Sequence, residues 1–325
     1  MQNLEKILII GFGSIGKKHA RIINQFWPKT EISIVSSTLN NSHYRLSYIS
    51  NKFESIKQGL IWRPDCAIIS SPSSFHLEQA LILSRANIPI LIEKPIGNGK
   101  ENIKLWEELL SLSKKVPVMI GYVFRHDDCI NHFKEFLNSD KLGKLIEVNS
   151  YCGSWLPDWR KDFDYKKSVS AREKLGGGVL LELSHEIDFV NYLFGPIDIK
   201  YASAGQSSLL KIDVEDNALI YAESKKCSSI IIRLNFCSKP NERYLEAIFS
   251  NGKLIWDLIE GSVSFKDDKG LKFMIFKSTF DSDYKYKMQL INFFKFASNK
   301  GKTICPLEDG LKVLNLISAA KNIIS

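Results

Sequence analysis

Ile7-Leu8-Ile9-Ile10-Gly11-Phe12-Gly13-Ser14-Ile15-Gly16 is the stretch whose reading decides the fold. Four consecutive apolar residues predict a buried strand, and G-x-G-x-x-G separates it from Ser14 to Phe26, where Ile15, Ala20, Ile22, Ile23 and Phe26 share one helical face. Strand, glycine-rich turn and helix in that order predict a dinucleotide site. Gly11 permits the tight turn, Gly13 lets the backbone approach a pyrophosphate, and Gly16 lets the helix pack closely on the sheet. The helix N-terminus offers N–H groups and partial positive charge to the phosphates, so Phe12, Ser14 and Ile15 join the three glycines as candidate cofactor-binding residues.

Working outward, Glu31 to Val35, Cys66 to Ile69, Ile90 to Ile92 and Val118 to Ile120 read as short buried strands, with helices over Leu77 to Arg85 and Ile103 to Ser111. Strands alternating with helices predict a parallel sheet, and residues 1–121 are expected to form a Rossmann domain of α/β class. After Gly121 the segments lengthen and alternate: Leu145 to Tyr151, Ala218 to Glu223, Ile230 to Cys237, Tyr244 to Phe249, Lys253 to Leu258, Ser262 to Lys266 and Leu271 to Phe276. Joined by turns such as Ser250-Asn251-Gly252, they predict an α+β domain over 122–325 with a mainly antiparallel, open sheet. Helices over Tyr284 to Ser298 and Leu307 to Ile324 close the chain, the last expected to pack back on the first domain.

Composition restricts the function classes. The 325 residues carry 44 Lys+Arg against 36 Asp+Glu, but the basic residues are scattered and only paired lysines occur, so no nucleic-acid surface is expected. Six cysteines with no C-x-x-C read as reduced thiols, and the N-terminus has neither a signal-like apolar region nor a membrane span. A cytoplasmic protein without a membrane partner is expected. Neither Gly-x-Ser-x-Gly nor His-Glu-x-x-His occurs, which argues against serine-hydrolase and zinc-protease chemistry.

The second strand ends Val35-Ser36-Ser37 without the acid that commonly holds the 2'-hydroxyl of NAD. Ser36 and Ser37 could hydrogen-bond a 2'-phosphate, with His43 or Arg45 supplying charge, so NAD and NADP both stand as cofactors. Ser71, Pro72 and His76 follow the Cys66 to Ile69 strand, at the edge where an open α/β sheet binds ligands. His76 reads as a helix-start residue or a cofactor neighbour.

Glu93-Lys94-Pro95 after an apolar strand, with the glycine motif before it and Gly176-Gly177-Gly178 after it, resembles the glucose-fructose oxidoreductase, inositol dehydrogenase and MocA family (Gfo/Idh/MocA). Gly121-Tyr122-Val123-Phe124-Arg125, Val214-Glu215-Asp216 and Pro306-Leu307-Glu308-Asp309-Gly310-Leu311 extend the resemblance over nearly the whole chain. It implies an NAD(P)-dependent dehydrogenase or reductase acting on CH–OH groups of a sugar, amino sugar or nucleotide sugar. It further implies that Lys94 reaches the substrate oxygen, that Glu93 and Lys94 lie near the cofactor, that the bond before Pro95 is cis, and that the protein is a homo-oligomer, dimer or tetramer. The resemblance extends to members associated with bacterial surface polysaccharide synthesis.

The resemblance departs at the second constellation, Gly178-Val179-Leu180-Leu181-Glu182-Leu183-Ser184-His185-Glu186. In the family pattern an Asp follows the last glycine by four positions and a His follows that Asp by four; here Glu182 takes the acid position and His185 comes only three later. On an unbroken helix that difference turns a side chain by about 100 degrees. His185 is the expected proton-exchanging group with Glu182 beside it, and an ungapped match would instead place Glu186 in the His slot. Arg125, Trp159 and Arg160 are the expected substrate contacts, the last two from the aromatic, charged loop Trp155 to Tyr165, with an interdomain salt bridge an equal reading for Arg125. Asp213, Glu215 and Asp216 read as solvated turn acids. Two further readings stay open: an NAD-using hydrolase or lyase of the same fold, and a nucleotide-binding protein without turnover.

Overall fold

The computed structural model describes residues 4–36, 46–139, 141–160, 163–279 and 281–324. The chain divides into two compact units, one comprising residues to Val123 together with Ser282–Leu311, the other Phe124–Asp281 with the residues from Lys312 onward. The segment that rejoins the first unit is thus centred on the penultimate helix, with only the first turn of the last one.

In the first unit, β1 (Lys6–Ile10), α1 (Ser14–Phe26), β2 (Glu31–Val35), β3 (Ile49–Phe53), α2 (Ile56–Ile61), β4 (Cys66–Ile69), α3 (His76–Arg85), β5 (Ile90–Ile92), α4 (Ile103–Ser113) and β6 (Val118–Ile120) follow in order. The strands form a parallel sheet ordered β3-β2-β1-β4-β5-β6. Strand order reverses between β1 and β4, which places a ligand crevice at their carboxyl ends. Ile7, Ile9, Ile32, Ile34, Ile68 and Leu91 are fully buried, as a sheet covered on both faces requires. Strand β3 was not expected: Ile49-Ser-Asn-Lys-Phe53 is an edge strand with no fully buried residue, so its sequence lacks the apolar run of its neighbours.

The second unit contains α5 (Asp128–Leu137), β7 (Leu145–Gly153), α6 (Val179–Glu182), α7 (Ser184–Phe194), β8 (Ile197–Gly205), β9 (Asn217–Ser224), β10 (Ile230–Asn235), β11 (Glu242–Phe249), β12 (Gly252–Asp257), β13 (Ser262–Asp267) and β14 (Lys272–Lys277). Its eight-stranded sheet runs β14-β13-β12-β11-β7-β10-β9-β8 and is antiparallel except for the parallel β7 and β10. Helix α8 (Tyr284–Ala297) belongs to the first unit, where Leu290 and Phe293 enter the core, and α9 (Leu307–Ile324) begins there. Phe124, Phe133, Phe189 and Trp256 form a ring cluster under the second sheet. None of the described helices is long and apolar enough to cross a membrane. One of the three turn acids corrects the sequence reading, while Asp213 is exposed as expected: Asp216 is fully buried, accepting from Ser207 N–H, Ser207 Oγ and Asn217 Nδ2, because it stitches the ends of β8 and β9.

Candidate active site

In the first unit the glycines are placed as the chemistry needs them. Gly11 has φ +83°, and a Cβ there would lie 2.5 Å from the Ser71 nitrogen. At Gly16 a Cβ would run into the Gly11 carbonyl and approach Ser70 Oγ to 2.7 Å. A Cβ at Gly13 would meet nothing within 4 Å. Gly11 and Gly16 therefore serve the turn and the packing, while the space at Gly13 is kept open. Gly13 caps α1 without a side-chain hydrogen bond and no acid stands in the first turn, which leaves the helix end fit for an anion. The residues present fit a dinucleotide pyrophosphate.

The loops after β4 and β5 are joined to this edge. Ser70 Oγ donates to the carbonyls of Ile10 and Gly11, at 3.1 and 2.8 Å. His76, the first residue of α3, is 1% exposed, and its ring nitrogens lie 2.9 Å from the Pro95 carbonyl and 2.8 Å from the Ser71 carbonyl. Burial holds its imidazole below the ordinary range, against the pull of the two carbonyls. Lys94, half-buried, precedes the cis Lys94–Pro95 bond. Glycine turn, serine loop and lysine turn thus line neighbouring strand ends.

In the second unit, Gly176 and Gly178 have φ of +83° and +108°, and a Cβ on Gly178 would strike the Glu215 carboxylate. Glu215 also accepts from Leu180 N–H, fixing the start of α6. The helix does not continue through the deletion: Leu183, with φ −96° and ψ 27°, separates α6 from α7. Glu182 and His185 therefore stand on two separate helices and are not related by the turn of an unbroken one. Glu182 and His185 are both half-buried, whereas Leu181 and Glu186 are buried. The His185 ring packs edge-on against Phe124, 4.9 Å between centroids. In the loop before the glycines, Leu156, Trp159, Arg160, Phe163, Tyr165 and Ser170, among others, line a small, partly open cleft.

Residues 5–124 match the family described as "Oxidoreductase family, NAD-binding Rossmann fold", and residues 130–255 match "GFO/IDH/MocA C-terminal domain". The chain belongs to the Gfo/Idh/MocA oxidoreductase family. A curated member, levoglucosan dehydrogenase of Pseudarthrobacter phenanthrenivorans, is 25% identical over 213 residues, covering 60% of this chain and 52% of its own. The chain spans between 52 and 61% of the length of the first three curated relatives it matches. Among solved structures, WlbA dehydrogenase from Bordetella pertussis, in complex with NADH and UDP-GlcNAcA, superposes with a TM-score of 0.80 at 16% identity, covering 99% of this chain and 96% of that one. UDP-N-acetylglucosamine 3-dehydrogenase GnnA from Acidithiobacillus ferrooxidans gives 0.76 at 14% identity, covering 99% and 98%. At such identities these two establish the shared fold.

Within this family member several expected contacts are redirected. Arg125 is 2% exposed and forms a bidentate pair with Asp188 in the same unit, Nε to Oδ2 3.0 Å and Nη2 to Oδ1 2.7 Å. His76, a helix-start residue as expected, sets its ring nitrogens against two loop carbonyls. Glu93 is 6% exposed and turns its carboxylate inward to His19. Glu186, the alternative to His185, is fully buried against Arg243, 2.6 and 3.1 Å, with that guanidinium 4.4 Å over Phe124. Ser36 follows β2 within the described residues, whereas Ser37, His43 and Arg45 lie outside them. Ser71 Oγ donates to Gln79 Oε1, and Ser71 and Pro72 remain half-buried at the sheet edge. Trp159 is 37% exposed and Arg160 is exposed. His19 and Arg243 were missed by the sequence reading, since nothing near either residue in sequence announces a buried partner.

Proposed function

We propose that this chain is an NAD(P)-dependent dehydrogenase or reductase that acts on a CH–OH group of a sugar-like substrate, a nucleotide-linked amino sugar being the class favoured. The observation that carries the reading is the strand-end arrangement of the first unit. An uncapped helix N-terminus with open space at Gly13 lies at one strand end, and the Lys94 turn is tied to the same edge through His76. The substrate class is supported by the names of the fold neighbours, two of which concern UDP-linked amino sugars. A place in surface polysaccharide synthesis, a cytoplasmic setting and a homo-oligomer belong to the same proposal.

Bound NAD or NADP would accept or deliver the hydride. The chain's own residues handle the proton and the orientation. The Lys94 ammonium stabilises the developing alkoxide and relays its proton, because a cation placed where charge develops lowers the barrier. His185 exchanges that proton, an imidazole being suited to work near neutral pH, and Glu182 orients it. Trp159 offers an aromatic face to a ring, and Arg160 pairs with a carboxylate or phosphate in the two-bond geometry a guanidinium allows.

The test follows NADH and NADPH absorbance against a panel of keto-sugars and nucleotide sugars, with Lys94→Ala alongside. Loss of a proton-transferring group is expected to lower kcat by roughly 10²- to 10⁴-fold with NADH binding retained. Undiminished turnover in Lys94→Ala would overturn the assignment. Substrate conversion without net absorbance change would favour the hydrolase or lyase reading.

A further inference from the structure

The fully buried His19 of α1 makes a short polar contact to the lysine turn. Its Nε2 lies 2.7 Å from Glu93 Oε1, with side-chain exposures of 0% and 8%. The second oxygen of Glu93 accepts from the backbone N–H of Lys94 at 3.3 Å. A Cβ on Gly121 would come within 3.0 Å of the same carboxyl group, so the carboxylate is closed in from the β6 side as well. The His19 ring also meets the Tyr286 ring edge-on, 5.9 Å between centroids, and its Nδ1 has no hydrogen-bond partner among the described residues. Glu93 is the ring's polar anchor.

A carboxylate removed from water needs a donor, and a buried imidazole carries a polarity that an apolar core residue would avoid. The pair therefore fixes the position of something that a hydrocarbon contact would leave loose. What it fixes is the turn from which Lys94 projects. His19 also stands in α1, the helix whose N-terminus faces the dinucleotide site, 74 residues away in sequence from Glu93.

We infer that His19, acting through Glu93, is a positioning residue for Lys94, registering the lysine turn against the cofactor-binding helix. This rests on the reading of Lys94 as the group that meets the substrate oxygen. Removing the donor lets the Glu93 carboxylate turn toward solvent and carries the Lys94 backbone with it. A displacement on the order of 1 Å at a reacting group costs up to about 100-fold in rate.

The experiment compares the wild-type chain with His19→Leu, His19→Gln and Glu93→Gln. Three quantities are read: the NADH dissociation constant by fluorescence, kcat and KM on any substrate that turns over, and the rate at which an amine-reactive reagent labels Lys94, resolved by peptide mass spectrometry against the exposed Lys104. In His19→Leu, labelling of Lys94 is expected to change by roughly fivefold or more and kcat to fall by roughly 10- to 100-fold, with KM and NADH affinity within about threefold. His19→Gln, which can place an amide N–H near the Nε2 position, should restore both to within a few fold. Glu93→Gln, close to isosteric and therefore expected to fold even where His19→Leu does not, should reproduce the labelling change. Wild-type Lys94 labelling in His19→Leu and Glu93→Gln overturns the inference, as does a kcat loss that tracks weakened NADH binding or fails to recover in His19→Gln. If no substrate in the panel turns over, the oxidoreductase proposal fails while the labelling arm still decides this one.

Discussion

Gly13→Ala and Gly16→Ala separate cofactor geometry from folding within one motif. At Gly16 a new Cβ would sit 2.7 Å from Ser70 Oγ, against 3.4 Å for ordinary contact, and would press still closer on the Gly11 backbone carbonyl, so α1 must back away. Overpacking of this kind costs about 1–3 kcal/mol, and for a unit of this size each kcal/mol lowers Tm by roughly 2–4 °C. Gly13 has φ −74° and ψ −164°, a conformation open to any residue, and its Cβ would meet nothing within 4 Å, so Gly13→Ala should leave stability within about 1 kcal/mol. That same methyl would stand where a pyrophosphate approaches the helix end. Losing one charge-assisted hydrogen bond, worth about 1.5–3 kcal/mol, corresponds to a roughly 10- to 150-fold weaker dinucleotide affinity. Thermal unfolding and NADH fluorescence titration on both variants provide the assay. Wild-type NADH affinity in Gly13→Ala, or a Tm loss there equal to that of Gly16→Ala, would refute the division of labour.

Two further outcomes follow from buried charge. His126 is 7% exposed, and burial, reinforced by neighbouring Arg125, pushes its pKa down to about 3. The folded form therefore binds its proton far below the unfolded value near 6.5, and stability is lost as pH falls from about 6.5 toward 3, by up to about 1.4 kcal/mol per pH unit. Urea midpoints at pH 7 and pH 5 should differ less in His126→Gln than in the wild-type chain; an unchanged difference contradicts the assignment. Arg125→Met should cost about 3–5 kcal/mol in urea unfolding because it removes the bidentate cation from the buried Asp188 carboxylate, whereas Arg160→Ala should leave the unfolding midpoint in place and raise KM for an anionic substrate. If the two arginine variants were equally stable, the buried pair would not be holding the second unit together.

Much of the fold was legible because its signals are local. Ile7 to Ile10, Cys66 to Ile69 and Val118 to Ile120 are apolar runs that only a sheet covered on both faces rewards, and the glycine motif sits where strand gives way to helix. Strands β3 and β8 escaped because both lie at sheet edges, where one flank is unpaired and polar residues are tolerated. Helix α5 had a readable start, Asp127 accepting from Cys129 N–H before Ile130 and Phe133, and was overlooked beside the motifs around it.

The sequence by itself determined that a strand, a glycine cradle and a helix stand together at Ile7 to Phe26, since neighbours in sequence carry that pattern. Only the tertiary structure decided which charged residues turn inward and pair with one another. Arg125 meets Asp188 63 residues away, Arg243 meets Glu186 57 away and His19 meets Glu93 74 away, and in each case burial of one partner obliges the other to turn inward. Leu183 likewise breaks the helix that a count of residues would have carried through, leaving His185 half-buried and Glu186 enclosed. No run of residues encodes such choices, because the cost of an unpaired buried charge is set by whatever the fold brings beside it.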